Sequence, residues 1–392
     1  SIPGDIAING AGTFNGTTFA NSKLNIVFTG YTDKTFTTSA TSTLALSVIT
    51  LNMGTGYGTT MEFIPGADFT APATGFITYT NGTFKLSGVG KVAAQSETFT
   101  SGTLVPANGG FWLNNPNYVV KAKAAISYLY GFFKITDGTF NVGTTNAHYL
   151  SFTTTSKSYF AGGVTNISGR FYNSSANYTE ITGGVINVAT VGNVAASSGS
   201  FTISSTTADF RMSGGTINLV NPNTYSTVTS RYDVYINPTS MDNVTGGVIN
   251  FGVPGTTPPG SVFDGLGYKT TNIVVKAGFT VKLRSSTNNI HGNITVEPGA
   301  TLDLQTFNLI VNGNSTSPGN IICNGTITQG AVETVRVQMF GEHGQQTISG
   351  SGAFGNVSRP IAGMGVANDD GVNFTSGTLT TNRINLFNGN IT

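Results

Sequence analysis

Hydrophobic positions along this chain come in short bursts of period two, each opened by glycine, which is the spacing of a half-buried strand. One signature keeps returning: Gly, a small or branched residue, an apolar residue, a polar residue and a second apolar residue. It reads Gly82-Thr83-Phe84-Lys85-Leu86, Gly109-Gly110-Phe111-Trp112-Leu113 and Gly138-Thr139-Phe140-Asn141-Val142. It returns as Gly184-Val185-Ile186-Asn187-Val188, Gly215-Thr216-Ile217-Asn218-Leu219 and Gly247-Val248-Ile249-Asn250-Phe251. The opening glycines lie 27, 29, 46, 31 and 32 residues apart. The longest interval reads as two coils, with a degenerate copy near Gly163-Val164. Further copies open at Gly278, Gly299, Gly325 and Gly352.

Each copy predicts a turn followed by a short strand. Glycine supplies a positive-φ corner, and Phe, Ile, Val and Thr suit a pleated, half-buried surface. No stretch of helical periodicity separates the copies, which argues against βαβ units. A β-sandwich would give frequent turns without a fixed longer period. A recurring period of about 20–32 residues instead predicts stacked coils. The fold class expected is all-β: a right-handed parallel β-helix, with about three short strands in each coil. At roughly 27 residues per coil the chain makes about 14–15 coils, on the order of 70 Å of stacked strands. Asn141, Asn187, Asn218 and Asn250 hold one outward slot in four copies. Amides stacked at about 4.8 Å can hydrogen-bond along the axis as a ladder, so these four asparagines are expected to be structural.

Two regions are expected. Residues 1–260 use coils of about 27–32 residues and residues 261–392 use shorter ones of about 18–27. The junction Pro254-Gly255-Thr256-Thr257-Pro258-Pro259-Gly260 reads as a longer loop in a continuous helix. The final residues, through Phe387 to Thr392, are repeat sequence without a polar cap. Solenoids need capped ends, which implies continuation in a larger chain or self-association.

Composition narrows the function. Charged residues make up 9% of the 392, against roughly 25% in ordinary soluble domains. Gly (52), Thr (61) and Asn (39) dominate. A net charge of +1 offers no clustered basic face for nucleic acid. The hydrophobic share of 38% is too high for a disordered chain. Cys323 is the single cysteine, which excludes an intramolecular disulfide and a Cys-based zinc site. The most apolar stretch, Tyr118 to Phe133, carries Lys121 and Lys123 and does not read as a membrane span. Low charge, abundant Thr, Asn and Gly, and scarce Cys together point to an exported protein of a bacterial cell surface.

Candidate chemistry is sparse, and no catalytic, metal or cofactor site is expected. Asp369-Asp370 invites comparison with the paired carboxylates of glycoside cleavage, but adjacent strand residues face opposite ways. Followed by Gly371 and preceded by Asn368, the pair reads as a turn. Gly341-Glu342-His343-Gly344 resembles the His-containing turn of polygalacturonase-type hydrolases. It precedes the Asp pair here, whereas in that family it follows, so an exposed loop is expected. His148 and His291 are isolated and read as surface residues. Neither a Walker-type phosphate loop nor a Gly-x-Ser-x-Gly elbow occurs. Trp112, the single tryptophan, should point outward beside Lys85 and Asn141. An indole so placed could stack on a sugar ring, which makes Trp112 and Lys85 the candidate ligand contacts. The alternative is that residues Asn114 to Tyr118 fold over it. Thr153-Thr154-Thr155 and Thr37-Thr38 are runs, not registered columns, which disfavours an ice-binding array.

From Lys276 onward the sequence resembles the repetitive surface proteins of Bacteroidota. The elements that carry the likeness are Val296-Glu297-Pro298-Gly299-Ala300-Thr301-Leu302-Asp303-Leu304, the run Thr347 to Val357, and Ile384-Asn385-Leu386-Phe387-Asn388-Gly389-Asn390-Ile391-Thr392. The resemblance implies large exported β-solenoids with adhesive or filament roles, delivered by type IX secretion. The expectation is a non-enzymatic segment of a cell-surface adhesin or extracellular filament. Surface polysaccharide or other cell-surface components are the expected partners. A polysaccharide lyase or hydrolase on the same fold, and a phage fibre, are the alternatives.

Overall fold

A computed structural model describes residues 2–10, 13–15, 25–92, 97–99, 101–122, 126–194, 199–225, 232–285, 288–330, 336–341, 343–355, 358, 360–375 and 377–392. The chain is all-β, with no helix among these residues, and its parallel sheets stack as a β-solenoid of about 13 turns. That is one or two turns fewer than expected. About 13 turns over 392 residues is about 30 residues each, because loops lengthen some turns. Thr216 pairs with Val248, 32 positions on, whereas Ile273 pairs with Ile294 after 21.

Two compact units are present. One comprises Ser1–Thr144, His148–Ser168 and Ser175–Val185, and the other Thr145–Ala147, Gly169–Ser174 and Ile186–Thr392. The Pro/Gly-rich stretch from Pro254 to Gly260 lies inside the second unit. Its Thr257 hydroxyl accepts from the Val253 amide (2.7 Å) and donates to the Val220 carbonyl (2.5 Å), which fixes this loop to an earlier turn.

In the first unit the repeat signature is not a turn plus a short strand. It forms the second half of the long strands Thr74–Leu86 and Phe132–Val142 and the first half of Gly109–Lys121. Phe133 and Ile135 point inward at odd positions, and Phe140 and Val142 at even ones. The phase slips at Asp137-Gly138, where Gly138 has φ +87°, so one strand folds over two faces of the coil. Thr74–Leu86 behaves alike: its first half pairs with Val48–Met53 and its second with Thr60–Pro65, meeting at Gly82 (φ +98°). A column of phenylalanines fills the interior. Phe84, Phe111 and Phe133 lie in register on successive strands, with ring centroids 6.3 and 6.2 Å apart, and Phe99 packs edge-on against Phe111 at 5.1 Å.

Three short strands make a turn in the later part of the second unit, as the sequence predicts. Ile294–Val296, Thr301–Asp303 and Leu309–Val311 are followed by Ile321–Cys323, Thr326–Thr328 and Arg336–Met339. Ile294 stacks on Ile321, Leu302 on Ile327 and Leu309 on Val337, and all six are fully buried.

One polar network is sealed inside this unit. The carboxylate of Asp233 is completely buried and accepts from the amides of Asn223 and Asp264 (both 2.7 Å) and from the Ser200 hydroxyl (3.2 Å). Asp264, also buried, is clasped by Arg284. Burial pushes the Asp233 carboxyl up to about 7; the Asn223 and Asp264 amides oppose this, and the Asp264 charge reinforces it. The folded state therefore holds this proton more tightly than the unfolded chain does. Stability should be highest below pH 4 with respect to this group, and should fall as pH rises from about 4 to about 7. The full loss is on the order of 4 kcal/mol. Urea unfolding between pH 4.5 and 7.5 checks this: Asp233→Asn should flatten the slope, and an unchanged slope would refute the assignment.

Candidate functional site

Trp112 faces outward on the first unit with Lys85 beside it, as expected, but its second neighbour differs. Its strand neighbours are Lys85 on the preceding strand and Lys134 on the following one. The ammonium groups lie 4.3 and 4.2 Å from the indole centroid, a cation–π pair on a half-buried ring. Asn141 is not beside Trp112; it sits across the Gly138 corner, where its strand partners are Lys121 and Asn166. The physical reason is that Gly109-Gly110 and Gly138 occupy different corners of the coil. Gly109 lies over Gly82, while Gly138 lies over the Asn115–Tyr118 bend. Residues Asn114 to Tyr118 do not cover the indole. They continue the strand Gly109–Lys121, and the Tyr118 ring is buried.

The column extends in both directions. Glu62 pairs in register with Lys85 and binds its ammonium at 2.8 Å, with the Ser87 hydroxyl at 2.7 Å on the same oxygen. Burial raises the Glu62 carboxyl, but the bonds from Lys85 and Ser87 outweigh it and leave the group below its ordinary value. On the other side Lys134 pairs with Tyr159. Lys134 has no acidic partner among the described residues, so it is the uncompensated charge of the column. The indole N–H donates to the Thr136 hydroxyl (2.8 Å), which donates in turn to the Asn114 amide oxygen (2.6 Å). That relay fixes the ring. Partly exposed aromatics flank it: Tyr57 stacks on Phe132 (5.8 Å), Phe132 meets Tyr159 (5.5 Å) and Tyr159 meets Tyr178 (5.2 Å).

The asparagines form hydrogen-bonded steps. Asn166 donates to Asn141 at 2.8 Å in the first unit. In the second, Asn218 donates to Asn187 and Asn250 to Asn218, each at 2.8 Å. Their amides bond one another instead of being offered to a ligand. Asn166 belongs to the degenerate copy at Gly163-Val164. There Thr165 takes the inward place that Phe140 holds one turn earlier, which is why the copy reads as degenerate in the apolar pattern.

Asp369 and Asp370 are exposed in a turn closed by Asn368, whose side-chain oxygen accepts from the Asp370 amide (2.9 Å). His148 accepts from the Thr144 amide through Nδ1 (2.9 Å). Glu342 lies outside the described residues. His291 and His343, read from sequence as unconnected surface residues, line one cleft of about 470 Å³ in the second unit, together with Asp242, Asn312, Ser315 and Phe340. Burial pulls the half-buried His291 imidazole down to about 4; Lys269 adds to this and Asp242 opposes it, so the ring is neutral at pH 7. Lys269 is tied to the carbonyls of Pro238 (2.7 Å) and Thr239 (2.6 Å).

Among the described residues no group of three or more His, Cys, Asp or Glu is placed to hold a metal ion, and no helix is long and apolar enough to cross a membrane. No protein-family model, curated protein or solved structure matches the chain.

Proposed function

We propose that this chain is a stiff segment of an exported cell-surface adhesin or extracellular filament, non-enzymatic, that presents a polar and aromatic flank to surface polysaccharide. The observation that carries the reading is the outward column Glu62, Lys85, Trp112, Lys134 and Tyr159, one residue from each successive strand, on a β-solenoid whose backbone holds the spacing. Aromatic edges and an unpaired ammonium suit acidic sugars. Many such shallow contacts add through avidity. A Bacteroidota origin and type IX delivery fit the sequence resemblance and belong to the same proposal.

Retention of the purified chain on immobilised polygalacturonate and chondroitin sulfate tests it. Binding should weaken with rising ionic strength. The double variant Trp112→Ala/Lys134→Ala should lower apparent affinity about fivefold or more. Equal retention of wild type and variant would remove the column from the mechanism. A second reading, a polysaccharide lyase or hydrolase on the same fold, is favoured by the cleft that gathers His291, His343 and Asp242. Release of reducing or unsaturated ends from the same polysaccharides would select it over the adhesive role.

A further inference from the structure

We propose that the cleft around His291 in the second unit is a separate binding site for a neutral, polyhydroxylated ligand, one or two units of an uncharged glycan. Its walls come from four different stretches of chain: Met241-Asp242, His291, residues 312–315, and Phe340 with His343. The stacking brings these together across about a hundred residues of sequence. At about 470 Å³ the cleft lies within the size range of small-ligand sites.

Its lining offers polar groups to a ligand. Among the described residues, the side chains of Asp242, His291, Asn312, Ser315 and His343 make no hydrogen bond within the protein, although all five line one concavity. The asparagine steps, by contrast, use their amides on one another. Asn314, which also lines the cleft, is the exception that bonds within the protein. Asn314 donates to the His291 carbonyl (2.9 Å) and accepts from the Thr316 amide (3.0 Å) and hydroxyl (2.8 Å). Asn314 thereby orders the loop that carries Asn312 and Ser315. The neutral His291 ring supplies one donor and one acceptor, the Asp242 carboxylate accepts, and the Asn312 amide does both. Hydroxyl groups, which both donate and accept, complement that mixture. The half-buried Phe340 ring adds an apolar surface for the C–H face of a sugar. The Asp242 carboxylate and the Lys269 ammonium act on His291 with opposite sign and offset each other, which favours an uncharged ligand over either charged class.

This site rests on the reading of the chain as a glycan binder and adds a second specificity to it. The experiment is titration calorimetry of the full chain with neutral trisaccharides of glucose, mannose, galactose and xylose. Histidine Hε1 resonances are followed in parallel. At least one probe should bind saturably, shifting the His291 and His343 signals and leaving His148 in place. Asp242→Asn and His343→Ala, both at exposed positions, should keep the wild-type melting temperature and weaken that binding about tenfold or more. Trp112→Ala/Lys134→Ala should leave it unchanged, which separates failure of the cleft from failure of the acidic-polysaccharide flank. The proposal is overturned if no probe saturates, or if binding survives both cleft variants at wild-type strength.

Discussion

Replacing Phe111 by Ala is expected to destabilise the protein by about 4 kcal/mol. The ring is fully buried between Phe84 and Phe133 and is met edge-on by Phe99. Truncation removes the transfer energy of the phenyl group and leaves a cavity that neighbours in fixed strand register cannot close. Each lost aromatic contact adds about 0.5–1.5 kcal/mol. Because a solenoid's stability is nearly a sum of repeats and their interfaces, two interfaces weaken together. Chemical denaturation followed by circular dichroism measures the loss. A cost below about 1.5 kcal/mol, the range of tolerated core swaps, would mean that the phenylalanine column is not packed as described.

Gly163→Ala should be nearly as damaging, for a different reason. Gly163 has φ +63°, where an L-residue incurs roughly 1–2 kcal/mol. A Cβ there would lie 2.5 Å from the Gly138 carbonyl oxygen and 3.0 Å from the Asp137 carbonyl carbon. Those atoms are backbone, held by the ladder, and cannot rotate aside. Gly278→Ala is the matched comparison: φ is +83°, and nothing lies within 4 Å of the added Cβ. It should show the conformational strain alone, about 1–2 kcal/mol, with Gly163→Ala clearly worse. Equal losses in urea-midpoint measurements would show that the corners are not stacked so closely.

Glycine corners, inward alternation and the Asn187, Asn218 and Asn250 column were legible because each is a local pattern repeated at similar spacing. Lys85 does flank Trp112 as the pattern predicts, but Asn141 does not, because two kinds of corner share one signature. Gly109 and Gly138 look alike in sequence, yet they occupy different corners of the coil. Asn166 was missed because a buried Thr165 replaced the apolar residue on which the pattern depends. The cleft was illegible for a deeper reason. Asp242, His291, Asn312 and His343 follow no motif, and they meet through turns whose lengths range from 18 to 33 residues. Irregular loop lengths, invisible to a fixed period, decide which side chains become neighbours.

The parallel register has a mechanical consequence. Within each unit the strand ladders of a turn run to the turn before it and the turn after it. Tension applied between distant points would therefore peel turns away singly instead of shearing the whole sheet. Each release frees about 30 residues, on the order of 100 Å of extended polypeptide. A tether built this way yields in instalments under load and dissipates work at every step. It can rewind on the remaining turns, which serve as the template once the pull subsides.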